Sequence, residues 1–162
     1  MEMRLITMEA WLDAAKTGAA PPVTICLEGD SMRPLIRRRR DPVTIVPLQR
    51  PLKRGDVVLF TLGDGRYVLH RLWKMQGDRV QTLGDNCCYP EPWFPRTQVL
   101  GLAIRFSRDG KSFRLDTKSS RLLGRAWMAA LPVRRCLLRL RAKAGRCYRK
   151  LFPRKGGECH GG

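Results

Sequence analysis

Ser31, His70, Asp85 and Glu91 are side chains whose types could together carry out acyl transfer. A serine hydroxyl is almost fully protonated near neutral pH, so it attacks a carbonyl only beside a base that takes its proton. His70 is the candidate base. A carboxylate on the far ring nitrogen would fix the tautomer and steady the imidazolium as it forms. Two acids qualify: Asp85 in Gly84-Asp85-Asn86, and Glu91 in Tyr89-Pro90-Glu91-Pro92, held by a proline on either side. Both remain open as the orienting acid. Taken singly, each residue has a plainer role: Ser31 in a Gly/Asp/Pro turn, His70 satisfied inside a sheet, Asp85 in an Asx-type turn.

The elements around these residues must hold them. Ser31 lies in Gly29-Asp30-Ser31-Met32-Arg33-Pro34, directly after the β-branched run Val23-Thr24-Ile25-Cys26-Leu27-Glu28, so it falls where an extended chain has to turn. Gly29 permits a close backbone approach or a positive φ, and Pro34 restrains the exit. In such a turn the backbone N–H of Ser31 is the first donor available to a developing oxyanion. His70 stands in Tyr67-Val68-Leu69-His70-Arg71-Leu72, where strand alternation puts Val68, His70 and Leu72 on one face. Partial burial there would keep the imidazole neutral. Lys74, four residues on, is read as lying on the same face and is the spare base for a Ser-Lys pair.

Further strands are expected at Val43–Val46, Asp56–Thr61, Arg66–Trp73, Arg79–Leu83, Val99–Phe106 and Ser112–Asp116, with hairpin turns at Gly63-Asp64-Gly65 and Asp109-Gly110. Many short strands with frequent turns predict a mainly β, partly closed barrel. Residues 1–18 read as a short amphipathic helix with Leu5, Met8, Leu12 and Ala15 on one face and Gly18 at its end, a cap over one end of the sheet.

Four blocks in order, Gly29-Asp30-Ser31-Met32-Arg33-Pro34, Arg54-Gly55-Asp56-Val57-Val58-Leu59-Phe60, His70-Arg71 and Gly84-Asp85-Asn86, closed by Leu100-Gly101, resemble the signal peptidase I and LexA-like serine peptidase superfamily. The resemblance covers residues 23 to 106. A His before Arg at 70–71 is similar to the Ser-His branch of endoplasmic-reticulum and archaeal signal peptidases, whereas bacterial enzymes carry Lys there. The resemblance implies a LexA/signal-peptidase-like β-barrel and peptidase activity with Ser31, His70 and Asp85 or Glu91 as catalytic residues. It also implies an extended substrate held along a sheet edge, with small side chains before the cut. In that branch both acids are usually Asp and the later one is taken to orient the His; here the later one is Glu91, which the resemblance slightly favours as the orienting acid, with Asp85 as an organiser of its turn. Some relatives place a hydroxyl two residues before the nucleophile, where this chain has Gly29.

The chain of 162 residues carries a net charge of +18. Residues 1–120 hold 20 basic and 13 acidic residues, a net of +7, and residues 121–162 hold 12 basic and 1 acidic, a net of +11. Such a tail suits anionic lipid, nucleic acid or an acidic partner. From Val133 onward, Val133, Leu137, Leu140, Ala144, Tyr148 and Leu151 recur at helical spacing among arginines and lysines, which predicts a basic amphipathic helix. The run Arg37-Arg38-Arg39-Arg40 reads as a solvated loop or as a contact to substrate or membrane. No export signal or membrane span is apparent, so the setting expected is cytoplasmic, with peripheral membrane attachment through the basic segment as an option. The six cysteines are then read as thiols. Cys136, Cys147, Cys159 and His160 lack closely spaced ligand pairs, and neither a metal nor another cofactor is expected.

The expected organisation is an N-terminal helix and linker over 1–22, a catalytic β domain over 23–118 and a basic segment over 119–162. The expected activity is cleavage of a leader or signal segment from a precursor peptide or protein. Two rivals remain: a LexA-like self-processing regulator, and a non-catalytic basic module that binds nucleic acid or anionic membrane.

Overall fold

The computed structural model describes residues 8–18, 20–63, 65–133 and 135–136. The chain divides into two compact units, Met1–Ala129 and Ala130–Gly162. The break falls after residue 129 rather than at the expected 118/119, because a helix not foreseen from the sequence belongs with the β domain. The basic helix expected from Val133 lies outside the described residues beyond Cys136.

The first unit is mainly β. Eight strands form one curled antiparallel sheet: β1 (Val23–Cys26), β2 (Pro42–Pro47), β3 (Val57–Thr61), β4 (Tyr67–Gln76), β5 (Arg79–Leu83), β6 (Phe94–Pro95), β7 (Val99–Arg108) and β8 (Lys111–Arg114). Their order is β1-β2-β7-β3-β4-β5-β6, with β8 also paired to β7. β7 pairs with β2 along one edge; along the other it meets β3 over Val99–Ala103 and β8 over Arg105–Arg108. The β7–β8 turn carries Asp109 and Gly110 at φ 49° and 76°, the left-handed conformation that a two-residue hairpin requires.

Alternation along these strands supplies two apolar faces. Val43, Ile45, Val57, Leu59, Leu69 and Ala103 pack in one cluster, while Val58, Phe60, Leu72, Val80, Phe94 and Leu102 pack in the other. The first is covered by α1 (Met8–Lys16), whose Trp11, Leu12 and Ala15 are buried. The Trp11 indole donates to Pro21 O at 2.6 Å, and Gly18, at φ 75°, ends the helical stretch. Of the expected helical face, Leu5 and the Met8 side chain lie outside the described residues.

The unforeseen helix is α2 (Lys118–Ala129). Thr117 caps it by accepting from the Ser120 amide at 3.1 Å on Oγ1. Gly124 and Met128, four residues apart, form its buried side. Among the described residues no helix is long and apolar enough to cross a membrane.

Candidate active site

The turn bearing Ser31 is anchored from inside. Met32 and Ile36 are fully buried, and the Ile36 amide donates to Met32 O at 2.9 Å. The loop that follows is tied down by Asp41, which is also fully buried. Asp41 accepts from the Arg37 amide and Nε at 2.9 Å each, and from Arg108 Nη2 at 2.6 Å. Burial pushes the Asp41 carboxyl up, but the hydrogen bonds from Arg108 and Arg37 outweigh it and hold the group down at about 2. Within the arginine run, Arg37 is therefore a structural brace. Arg39 donates to Glu28 at 2.7 Å on the exposed rim.

Gly29 departs from expectation. Its φ is not positive, and a Cβ added there would meet nothing within 4 Å. The close approach occurs instead at Gly84, after β5. A Cβ at Gly84 would lie 2.6 Å from Cys87 Sγ, 2.8 Å from Ser31 O and 3.0 Å from His70 Nε2. The segment 84–87 is thus packed closely against both the Ser31 turn and the imidazole. Asn86 fastens it, its amide donating to Ser31 O at 2.7 Å and its Nδ2 to Asp30 O at 3.2 Å.

His70 is 4% exposed and lies opposite Val58 on β3, with its ring 5.9 Å from that of Phe60. Burial pushes its pKa down to about 4, with the charge of Asp85 opposing, so the imidazole is neutral at pH 7. Neither ring nitrogen has a hydrogen-bond partner. Glu91 Oε1 is 3.4 Å from Nδ1, a contact beyond good hydrogen-bond length. Two backbone-anchored contacts hold Glu91: its amide donates to Thr82 O at 2.9 Å, and its carbonyl accepts from Gln81 Nε2 at 2.9 Å. Thr82 Oγ1 is a third buried polar atom without a partner; its residue pairs with Leu72, two positions from His70.

Asp85 is engaged elsewhere. Arg71 Nε and Nη2 donate to its two oxygens at 3.0 and 2.8 Å, and Arg71 Nη1 donates to Gly55 O at 2.9 Å. Both side chains are buried. The Trp127 indole on α2 donates to Asp85 O at 3.0 Å, and a Cβ at Gly124 would fall within 2.6 Å of Arg71 Cζ. Sequence reasoning missed α2 and its two contributions here. The Thr117 cap and the glycine four residues before Met128 were the available signals.

Lys74 does not share the face of His70. The register of β4 against β5 shifts between Leu72 and Lys74, so Leu72 pairs with Thr82 but Lys74 pairs with Gln81. One extra residue at Trp73 reverses the alternation. Lys74 is exposed, with its ammonium 4.4 Å from the Trp73 ring.

Compared with models of protein families and with curated proteins, the chain matches none. The site brings together a serine turn, a buried neutral imidazole and a carboxylate on the far side of that imidazole. Among the described residues no group of His, Cys, Asp and Glu is placed to hold a metal ion. Cys147, Cys159 and His160 lie outside them.

Proposed function

We propose that the protein is a serine endopeptidase similar in fold and mechanism to signal peptidase I and LexA-like enzymes, cutting a leader or signal segment from a precursor peptide or protein. One observation carries this reading: the buried, unpartnered His70 Nε2 and the Ser31 carbonyl face one point at Gly84, with Glu91 at 3.4 Å from the opposite nitrogen. A buried imidazole with both nitrogens unpaired is costly to stability, and such groups concentrate where chemistry needs them.

Ser31 Oγ attacks the scissile carbonyl and His70 Nε2 takes its proton. Glu91 Oε1 stands at Nδ1 to hold the tautomer and meet the positive charge that develops. Asp85 acts through Arg71 and the backbone instead, keeping the 84–87 segment against the Ser31 turn. The Ser31 hydroxyl is not hydrogen-bonded to His70 Nε2. Such catalytic bonds commonly tighten only when substrate is bound. The Ser31 N–H is one oxyanion donor, and an extended substrate is suited to edge strand β1, which leads into the Ser31 turn.

The net charge of +18 favours a second reading, a non-catalytic basic module for nucleic acid or anionic membrane. Cleavage of a panel of small-residue leader peptides, with and without anionic vesicles, separates the two. The peptidase reading requires loss of cleavage in Ser31→Ala and His70→Ala but not in Lys74→Ala. Salt-sensitive binding with no cleavage of any peptide supports the basic module.

A further inference from the structure

Cys87 is a half-exposed thiol in the segment that packs against both the Ser31 backbone and the His70 ring. One point beside Gly84 lies 2.6 Å from its Sγ, 2.8 Å from Ser31 O and 3.0 Å from His70 Nε2. There is no room at that point even for a methyl group, so the thiol, the nucleophile's backbone and the unpartnered imidazole meet in close packing. His70 Nε2 is buried and without a hydrogen-bond partner, so it has no bond of its own to hold it against a displacement. The turn itself is held on the same side, through the Asn86 amide on Ser31 O, one residue before Cys87.

We propose that Cys87 is a covalent modification site for low-molecular-weight disulfides, and that an adduct there separates Ser31 from His70 and switches the site off. The inference rests on the peptidase reading for its consequence but not for its geometry. In the exchange, the Cys87 thiolate attacks one sulfur of glutathione disulfide. A new S–S bond forms, the old one breaks, and glutathione leaves as a thiolate that takes up a proton. The proton of Cys87 is lost to solvent. On the Gly84 side of Sγ there is no room even for a methyl group, so an adduct turned that way displaces the 84–87 segment and with it the Asn86 contact that fixes Ser31 O. Reduction by a dithiol restores the original packing.

The test treats the purified protein with glutathione disulfide, maps adducts by mass spectrometry, and follows both peptide cleavage and the His70 ring resonance. With two histidines in the chain, a His70→Gln variant assigns that signal. The expected result is a Cys87 adduct, a shifted His70 resonance, a roughly 100-fold loss of cleavage as expected for a misplaced catalytic pair, and recovery of both on reduction. Cys87→Ser should keep cleavage and an unchanged His70 signal while its remaining thiols are modified. An adduct at Cys87 that leaves the His70 resonance and cleavage unchanged overturns the proposal. So does failure of Cys87 to react under conditions that modify the exposed Cys26. If the untreated protein cuts nothing, the peptidase reading fails separately, and the His70 resonance alone decides whether Cys87 acts on the site.

Discussion

Arg71 holds Asp85 with two hydrogen bonds of 3.0 and 2.8 Å, and this pairing leaves Glu91 as the acid beside His70 Nδ1. Neighbouring residues on one strand thus recruit the two acids for different purposes. Arg71–Asp85 braces the loop, and His70, with Glu91 at its Nδ1, lies beside the Ser31 turn.

Breaking that brace should cost stability first. Replacing one partner of a buried ion pair leaves the other charge unpaired, at about 3–5 kcal/mol. Arg71→Met and Asp85→Asn should each lower the urea midpoint strongly, and the double variant should lose less than the sum of the two. A strictly additive double variant, measured by equilibrium unfolding, would show that the pair is not coupled.

The pH dependence of cleavage should follow His70. The base must be neutral to act, and burial places its pKa at about 4, so kcat/KM should hold through pH 5 and fall only as pH approaches 4. The same shift affects folding. Between the ordinary 6.5 and about 4 the unfolded chain binds the proton more readily, so stability is full above 6.5 and declines as pH falls toward 4. The loss is on the order of 3 kcal/mol at most. A His70→Gln variant should lack this slope. An acid limb in kcat/KM centred near 6.5 would contradict the neutral buried base.

Asp41 should dominate at lower pH. Its carboxyl is held at about 2 against an ordinary 3.8, so its contribution is present above 3.8 and is lost as pH falls through about 2. Asp41→Asn should remove roughly 2 kcal/mol near neutral pH and flatten the acid-unfolding curve in that window. Unfolding followed by circular dichroism from pH 5 to pH 1.5 tests this; a parallel curve for the variant would assign the stability elsewhere.

Two glycines should behave in opposite ways. Gly84→Ala forces a Cβ into contacts of 2.6 to 3.0 Å and should cost about 1–3 kcal/mol, with cleavage falling more steeply than stability. Gly29→Ser enters open space and should change stability by no more than about 0.5 kcal/mol, while adding a hydroxyl two residues before the nucleophile. Thermal midpoints and cleavage rates of the two variants provide the comparison. An unimpaired Gly84→Ala would mean that the 84–87 segment yields freely and does not position Ser31.

Strand positions were legible because the signals are local. The β3 and β4 segments are rich in β-branched and apolar residues, the turns carry Gly and Asp, and the strands found at Val57–Thr61, Arg79–Leu83 and Val99–Arg108 lie within a few residues of the expected ones. Bulges were not legible. The extra residue at Trp73 has no composition signal, yet it turns Lys74 away from the His70 face. Helix α2 was obscured by the charge of the C-terminal region, since Arg121 and Arg125 read as part of a basic segment although Gly124 and Met128 mark a buried side.

The sequence by itself determined that Ser31 follows a strand into a turn, that His70 sits mid-strand among apolar neighbours, and that Asp85 and Glu91 stand in Gly- and Pro-marked turns that could bring a carboxylate to it. Which acid meets which base was decided only by tertiary structure. His70 and Arg71 are adjacent, and a strand directs adjacent side chains to opposite faces. The curl of the sheet and the arrival of α2 then bring Asp85 to the Arg71 side and Glu91 to the His70 side. The reason is physical: face is a property of one strand, but partnership across strands depends on register, bulges and what packs on top, none of which is encoded locally.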